Sequence, residues 1–247
     1  MKSDLKQLGL IGKTLSHSFS KNYFARKFEK EQLHNFKYDN FELASIDEFP
    51  DLIQSTPNLL GLNVTIPYKK EVISFLDEIS DEAETVGAVN TILKKRNKLL
   101  GFNTDVIGFR QSLEPLLKSH HTKALILGTG GAAEAVAFVL GQLNIDFLFV
   151  SRSPKDKQLS YAQVDAAVLE NYLIIINTTP VGTHPQINNA PVIDYSNLTE
   201  QHLLYDLVYN PTETLFLQKG KLQGAGIKNG LEMLEMQAEA AWKIWGE

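Results

Sequence analysis

Short apolar runs of strand length alternate with longer amphipathic segments through the first hundred residues. The apolar pattern predicts these strands: Leu8–Ile11, Phe36–Leu43, Leu59–Ile66, Asn90–Lys94 and Leu99–Phe102. The segments with helical spacing are Ser20–Glu31, Phe49–Gln54 and Lys70–Leu76. A basic turn-like tip separates the last two strands and predicts a hairpin. Strands that alternate with helices indicate an α/β layer with a mainly parallel sheet.

The same alternation resumes in the second half of the chain. The predicted strands are Leu125–Leu127, Phe147–Val150, Leu173–Asn177, Leu203–Val208 and a short strand punctuated by Gly224, Gly226 and Gly230. The predicted helices are Val106–Leu117, Ala132–Leu143, Glu213–Gln218 and Leu231–Trp245. Trp242 and Trp245 in the last helix are interpreted as packing residues. A chain of 247 residues has room for one large or two modest domains, and the alternation in both halves predicts an α/β fold.

A glycine turn follows the first strand of the second half and leads into a helix. Gly128 allows a sharp turn, and Gly130 and Gly131 let backbone N–H groups come close to a ligand. Ala133 is small enough for the helix to pack closely on the strand. Such a turn presents unpaired N–H groups and the positive end of a helix to an anion. We therefore predict a dinucleotide site here, with a plain glycine turn as the alternative.

Three hydroxyl side chains and a histidine come just beyond the first strand: Ser16, His17, Ser18 and Ser20. One of these serines is expected to cap the following helix. A cap needs only one hydroxyl, so the others are available to hold a small anionic or hydroxylated ligand at the carboxyl end of the strand. His17 is assigned a supporting role.

A second polar segment ends the third strand. Asn63 and Thr65 share one face of that strand, and Pro67 ends it. Lys69 then lies at a strand-to-helix junction. The alternative is that Lys69 and Lys70 form an ordinary surface pair.

Two Asn-Thr pairs stand at the ends of short apolar segments, in Gly87–Thr91 and Gly101–Asp105. Both pairs are compatible with turn chemistry alone. Asp105 is also a good N-cap for the helix that is predicted to follow it.

The composition narrows the function classes. The chain has 29 acidic and 24 basic residues, so a general nucleic-acid footprint is absent. It has no cysteine, which excludes disulfides and thiolate metal sites and suits a reducing compartment. The six histidines show no metal-ligand spacing, and the first apolar run is too short for a signal or a membrane span. We expect a soluble, cytoplasmic protein without metal, nucleic-acid or membrane partners.

Together the motifs resemble the shikimate dehydrogenase family along the whole chain. The matching segments, in the family's order, are His17–Ser20, Asn63–Lys69, Gly87–Asn90, Asn103–Asp105, Gly128–Ala132 and Asn229–Gln237. Prolines that are usual in the first motif are replaced by Thr14 and Lys21, and Phe24 stands where the family often has histidine. The chain is also short for the family.

The resemblance implies roles for individual residues. Lys69 and Asp105 are expected to be the catalytic pair, because a lysine ammonium beside a carboxylate donates a proton while staying oriented. The substrate carboxylate is expected at Ser18, Ser20 and Tyr209. The residues expected to face the ring hydroxyls include Thr65, Asn90 and Gln237.

The segment after the second strand of the second half indicates which cofactor is used. An NAD site usually has Asp or Glu here, whereas this chain has Arg152, which suits a 2′-phosphate. We therefore predict NADP, with an ordinary surface arginine as the alternative. The predicted cofactor-binding residues are Gly128, Thr129, Gly130, Gly131, Ala132, Ser151, Arg152, Ser153, Lys155, Thr178, Leu207 and Gly230.

The resemblance implies NADPH-dependent, reversible reduction of 3-dehydroshikimate to shikimate, on the route to chorismate and the aromatic amino acids. Residues 1–104 with 231–247 are expected to form the substrate-binding domain and residues 105–230 a Rossmann-like NADP-binding domain, with a cleft between them. The alternatives are a quinate/shikimate dehydrogenase with relaxed cofactor use and a catalytically silent sensor of NADP or shikimate. We expect a monomer or homodimer.

Overall fold

The computed structural model describes residues 5–15 and 18–246. Ser16 and His17 of the predicted hydroxyl cluster therefore lie outside the described residues. The chain forms two compact units, one comprising the residues up to Ile107 and those from Gln237 onward, the other comprising Gly108–Met236. Each unit contains one six-stranded sheet.

The sheet of the first unit is mixed. Its strands are β1 (Lys6–Gly12), β2 (Phe36–Glu42), β3 (Leu59–Val64), β4 (Glu78–Ile79), β5 (Thr91–Lys95) and β6 (Lys98–Phe102). They lie in the order β2-β1-β3-β5-β6-β4. Strand β5 runs antiparallel to both of its neighbours, and the other pairs are parallel. This confirms the hairpin and the mainly parallel sheet that the sequence predicts.

The helices of the first unit differ from the predicted ones in two places. They are α1 (Phe19–Lys30), α2 (Phe49–Ser55) and α3 (Asp81–Val86). The segment predicted as a helix at Lys70–Leu76 is a 3₁₀ helix, Glu71–Phe75, because so short a run with two β-branched residues closes with i→i+3 bonds. Helix α3 was not predicted, although Ser80 caps its start and Gly87, at φ 66°, ends it.

The sheet of the second unit is entirely parallel. Its strands are β7 (Lys123–Leu127), β8 (Asp146–Ser151), β9 (Leu159–Ser160), β10 (Ile174–Asn177), β11 (Leu203–Asp206) and β12 (Gly226–Lys228). The order β12-β11-β10-β7-β8-β9 is that of the doubly wound dinucleotide-binding fold, in which strands are added outward in one direction from β7 and in the other direction from β10. The predicted α/β class with a Rossmann-like half is confirmed.

The remaining helices are α4 (Thr104–Leu113), α5 (Gly131–Gln142), α6 (Ala166–Asn171), α7 (Leu215–Leu222) and α8 (Leu231–Ile244). The division between the units falls inside α4 and α8. Helix α7 starts later than predicted because the Thr214 side chain caps it. Neither β9 nor α6 was predicted from the sequence. No helix among the described residues has the length and apolarity that crossing a membrane requires.

An aromatic cluster fills one face of the first sheet. Phe24 of α1 stacks on Tyr38 of β2 with ring centroids 4.7 Å apart. Trp242 and Trp245 of α8 pack on the same cluster, and the Trp245 indole N–H donates to the Ile92 carbonyl at 3.0 Å. Both tryptophans are buried, as their predicted packing role requires.

Candidate active site

The topology of the first sheet gathers polar residues at one edge. The carboxyl ends of β1, β3 and β6 point the same way, since β5 is antiparallel to β3 and to β6. Asn90, which precedes β5, therefore lies at the same edge as Thr65 after β3 and Asp105 after β6. Register pairing of Asn63 with Thr91, and of Thr91 with Phe102, fixes the alignment.

Lys69 and Asp105 form an ion pair at this edge. The distance from Lys69 Nζ to Asp105 Oδ2 is 2.6 Å, and the side chains are 17% and 9% exposed. Lys69 follows Tyr68, whose phenol donates to the Leu43 carbonyl at 2.5 Å and holds the segment in place. Lys69 is therefore not half of a surface pair with Lys70, which is exposed. Proximity to a carboxylate orients the ammonium for proton transfer.

Asp105 is not the N-cap that its sequence position suggests. Helix α4 begins at Thr104, and the Val106 N–H donates to Asn103 Oδ1 at 3.4 Å. Asp105 thus lies in the first turn, where a carboxylate is stabilised by the helix dipole, and its side chain is left to pair with Lys69. Asn103 takes the cap, and its amide also donates to the Ala88 carbonyl at 2.9 Å.

Asn90 and Gln237 meet next to this pair through Thr104. Asn90 Oδ1 accepts from the Thr104 N–H at 2.7 Å and from the Thr104 hydroxyl at 3.1 Å. The same hydroxyl lies 3.3 Å from Gln237 Oε1. All three residues are buried, so the predicted neighbours from the middle and the end of the chain are held in one polar network.

The network continues into the sheet through residues that had no assigned role. Tyr38 donates to Asn63 Oδ1 at 2.7 Å, and Asn63 Nδ2 donates to Thr91 Oγ1 at 3.1 Å. Thr91 in turn lies 3.1 Å from the Thr104 hydroxyl. Burial raises the pKa of Tyr38 far above its usual range, so its phenol stays a neutral donor. In the sequence, the one signal for these contacts is that polar residues interrupt otherwise apolar strands.

The described serines of the first motif have different surroundings. Ser18 caps α1 by accepting from the Lys21 N–H at 3.2 Å. It is therefore the one serine of the motif that was expected to cap the helix. Ser20 is buried and hydrogen-bonded to the Tyr38 phenol. Tyr209, the third residue predicted at the substrate carboxylate, belongs to the second unit and follows β11. Burial raises the pKa of the Tyr209 phenol.

Side chains of β2 hold the backbone that leads into this motif. Leu15 donates its N–H to a Glu42 carboxylate oxygen at 2.6 Å and accepts from Asn40 Nδ2 at 2.9 Å. Sequence reasoning missed both side chains, because neither is near the motif in the chain. Thr65 lies beside the same stretch: its N–H donates to the Ile11 carbonyl at 2.9 Å.

The glycine turn of the second unit has the geometry of an anion cradle. Gly128 has φ +116°, and a Cβ there would lie 2.6 Å from Thr178 Oγ1, so only glycine fits. A Cβ on Gly130 would point into open space. Gly130 is the N-cap of α5 and offers no side chain, so the N–H groups of the first turn are left for an anion.

Two further predicted cofactor residues, Leu207 and Gly230, lie against each other. A Cβ on Gly230 would collide with the Leu207 carbonyl oxygen, so a side chain cannot be placed there without moving that backbone. The Leu207 N–H donates to the Asn177 carbonyl at 2.9 Å, next to Thr178. The ends of β10 and β11 therefore bring Thr178, Leu207 and Gly230 to one side of the second unit.

The loop after β8 carries the predicted 2′-phosphate residues. Ser153 donates its N–H to Ser151 Oγ at 3.2 Å, and the Lys155 N–H donates to Gln158 Oε1 at 3.1 Å. Arg152 is exposed between the two serines. Among the described residues no group of three His, Cys, Asp or Glu side chains is arranged to hold a metal ion.

Comparison with curated proteins decides the family. A shikimate dehydrogenase (NADP(+)) of Carboxydothermus hydrogenoformans is 38% identical to this chain over 259 residues, which cover 98% of this chain and 92% of the relative. The chain belongs to the shikimate dehydrogenase family. Residues 10–92 match the family model described as the shikimate dehydrogenase substrate binding domain.

Solved shikimate dehydrogenases share the fold as well. One, crystallised in complex with NADP+, aligns with a TM-score of 0.87 at 35% identity and covers 100% of this chain and 91% of that chain. The enzyme of Thermus thermophilus, in complex with NADP(H) and shikimate, aligns with a TM-score of 0.86 at 29% identity, covering 98% of this chain and 93% of that chain. The predicted resemblance is confirmed.

Phe24, which stands where the family resemblance predicts a histidine, lies in the core of the first unit. Its ring is fully buried between Tyr38 and the tryptophans of α8. The replacement therefore belongs to the core of the first unit, behind the polar network. Ser20 lies one turn before Phe24 on the same helix, and Tyr38 interacts with both residues.

Proposed function

We propose that this chain is an NADP-dependent shikimate dehydrogenase that reversibly reduces 3-dehydroshikimate to shikimate. The observation that carries the proposal is the Lys69–Asp105 ion pair beside the buried Asn90–Thr104–Gln237 network. The names of the relatives and the bound molecules of the solved structures support it. Reduction of a ketone needs a proton at its oxygen, and a paired lysine is suited to supply one.

The residues of the second unit fit NADP. Gly128 and Gly130 leave room for the pyrophosphate at the start of α5, and Arg152 offers a planar cation to a 2′-phosphate. Thr178, Leu207 and Gly230 would hold the nicotinamide end. When bound, NADPH supplies the hydride of the reaction.

The first unit supplies the proton and orients the substrate. Lys69 holds the proton at Nζ and gives it to the ketone oxygen as that oxygen becomes a hydroxyl. Asp105 keeps the ammonium in place and stabilises its charge. In the direction of oxidation, the neutral amine accepts the hydroxyl proton. Thr65, Asn90 and Gln237 would bind the ring hydroxyls, and Ser18 and Ser20 the carboxylate.

Two alternatives predict different behaviour. A quinate/shikimate dehydrogenase would accept quinate and use NAD as readily, which Arg152 disfavours. A catalytically silent sensor would need the glycine turn but not the Lys69–Asp105 pair, so their joint presence favours the enzyme.

We also infer the domain roles predicted from the sequence, with residues 1–104 and 231–247 binding substrate and residues 105–230 binding NADP. The expected assembly is a monomer or homodimer, which light scattering of the purified protein would distinguish.

The proposal is tested by following reduced-cofactor absorbance with shikimate or quinate, each with NADP or NAD. Turnover of shikimate with NADP well above the other three combinations is expected. Turnover in none of them, with NADP or shikimate still bound, would favour the sensor. Equal turnover of quinate, or with NAD, would favour the relaxed enzyme.

A further inference from the structure

A carboxylate is buried in the second unit at the end of β11. Asp206 is the last residue of that strand and has no exposed surface. Its Oδ1 accepts from Asn177 Nδ2 at 2.9 Å and from the Val208 N–H at 3.0 Å, and its Oδ2 accepts from the Thr214 hydroxyl at 2.5 Å. Burial raises the pKa of Asp206 to about 6, and these three donors oppose that shift. A charge in such a place is costly and calls for an explanation.

The three donors come from different parts of the fold. Asn177 is the last residue of β10, Val208 lies in the loop after β11, and Thr214 caps α7. Asp206 thus ties two neighbouring strand ends to the start of a helix. The backbone on both sides of Val208 belongs to Leu207 and Tyr209, both predicted ligand-binding residues.

Asn177 extends the contacts into the loop after β10. Its Oδ1 accepts from the Thr179 N–H at 3.1 Å and from the Thr179 hydroxyl at 2.6 Å. Its Nδ2 also lies 3.3 Å from the Val181 carbonyl oxygen. Because Asp206 accepts from Nδ2, it fixes which way the Asn177 amide faces, and so which groups of the loop it holds.

That loop starts with Thr178, which is in contact with the glycine turn. The Thr178 hydroxyl donates to the Leu127 carbonyl at 2.8 Å, and its oxygen occupies the place that a Cβ on Gly128 would need. A continuous set of hydrogen bonds therefore runs from Asp206 through Asn177 to the loop that bears Thr178. A second, shorter route runs from Asp206 through Val208 to Leu207.

We propose that Asp206 is the positioning residue for the nicotinamide end of the cofactor site, acting through Asn177 and Val208 without touching the cofactor. The inference rests on the proposed NADP-dependent function. Its consequence is local: Asp206 orders the loops that bear Thr178 and Leu207, whereas the adenine end, with Arg152 after β8, uses a different loop.

The test compares two ligands in titrations of the full-length protein. NADP reports on both ends of the site, and adenosine 2′,5′-bisphosphate reports on the adenine end alone. Asp206→Ala is expected to raise the Kd of NADP at least tenfold and to change the Kd of the bisphosphate less than twofold. Asp206→Asn keeps an oxygen for Asn177 and Val208, so its Kd for NADP should stay within threefold of wild type.

Two further variants distinguish a specific loss of NADP binding from a general loss of structure. Asp165→Ala removes the carboxylate that caps α6 in the same unit and should leave both affinities unchanged. If Asp206→Ala does not fold, Asn177→Ala breaks the same route one residue further on and should show the same selective loss of NADP affinity.

The outcomes separate this inference from the proposed function. Unchanged NADP affinity in a folded Asp206→Ala or Asn177→Ala variant, or equal loss for both ligands, would overturn the positioning role. A wild-type protein that binds NADP but does not turn over shikimate would contradict the proposed reaction. The Kd values of the Asp206 variants would still test the positioning role in that case.

Discussion

The carboxylate of Glu42 accepts a hydrogen bond of 2.6 Å from the backbone N–H of Leu15. Leu15 is buried and directly precedes the serine motif, whereas Glu42 is the last residue of the edge strand β2. The family resemblance predicts that Thr14 replaces a proline that is usual just before this motif. Glu42, together with Asn40, restrains the backbone at Leu15.

Glu42→Ala should therefore weaken shikimate binding. Losing a hydrogen bond of about 1 kcal/mol corresponds to a rise of roughly fivefold in the KM for shikimate. Glu42→Gln keeps the acceptor and should restore most of the difference, and the KM for NADP should not change. Steady-state kinetics with each substrate varied checks this. An unchanged KM for shikimate in Glu42→Ala would show that the Leu15 contact does not order the motif.

Asn63 is expected to matter for stability because it joins two buried hydroxyls. Asn63→Ala leaves the Tyr38 phenol and Thr91 without this partner, and a buried unsatisfied group costs about 1–3 kcal/mol. Urea denaturation should show that loss in the free energy of unfolding.

Asn58→Ala is the matched control, because Asn58 is exposed and its amide donates to the Leu5 carbonyl at the surface. Its effect should stay within about 0.5 kcal/mol. If the two variants are equally stable, the buried network does not stabilise the first unit.

The positions of the candidate residues at strand ends were easier to predict from the sequence than their hydrogen-bond partners. Polar residues at strand ends and the glycine turn were predictable, because strand ends and φ > 0 positions have local signals. The meeting of Thr104 with Gln237 was not, since the two residues are 133 positions apart and only packing of α8 brings them together. Tyr38 and Asp206 were missed for the same reason: each has a partner, Asn63 for Tyr38 and Asn177 for Asp206, on a strand that is distant in the sequence.

Asp105 shows the limit of local rules most clearly. An acidic residue just before an apolar helical pattern predicts an N-cap. Asn103 takes that role because the helix begins earlier, at Thr104. Which of two nearby polar residues caps a helix depends on what else each can bind, and the partner of Asp105, Lys69, is distant in the sequence.

Arg152→Ala should lower affinity for NADPH much more than for NADH. Losing hydrogen bonds to a charged group costs about 1.5–3 kcal/mol, which is roughly tenfold to 150-fold in Kd. Arg152→Lys keeps the charge but not the planar fork, so an intermediate loss is expected. Fluorescence titration with each cofactor measures both. An equal loss for NADPH and NADH would contradict contact with the 2′-phosphate.

Stability of the second unit should fall as the pH drops below about 6.5, the ordinary pKa of histidine. Burial lowers the pKa of His202, whose Nδ1 accepts from the Thr199 N–H at 2.9 Å and whose Nε2 lies 3.0 Å from the Leu169 carbonyl oxygen. The unfolded chain therefore binds a proton at a higher pH than the folded one, so stability is complete above that pH and declines below it.

His202→Asn removes this titration. The Tm of the wild type should decrease between pH 7 and pH 5 more steeply than that of the variant. Titrating groups that both proteins contain, such as Asp206, contribute equally to the two curves, so the difference between the curves reports on His202. Parallel curves for the two proteins would show that His202 does not contribute to the pH dependence.

The most direct test of the account is the turnover of Lys69→Ala, with Lys70→Ala as the control. Removing a general acid costs about 10²–10⁴ in rate, so kcat should fall by that factor while the Kd for shikimate changes less than tenfold. Lys70→Ala, at the exposed neighbouring lysine, should keep the wild-type kcat. A Lys69→Ala variant that retains more than a tenth of the wild-type kcat would contradict the assignment of the proton donor.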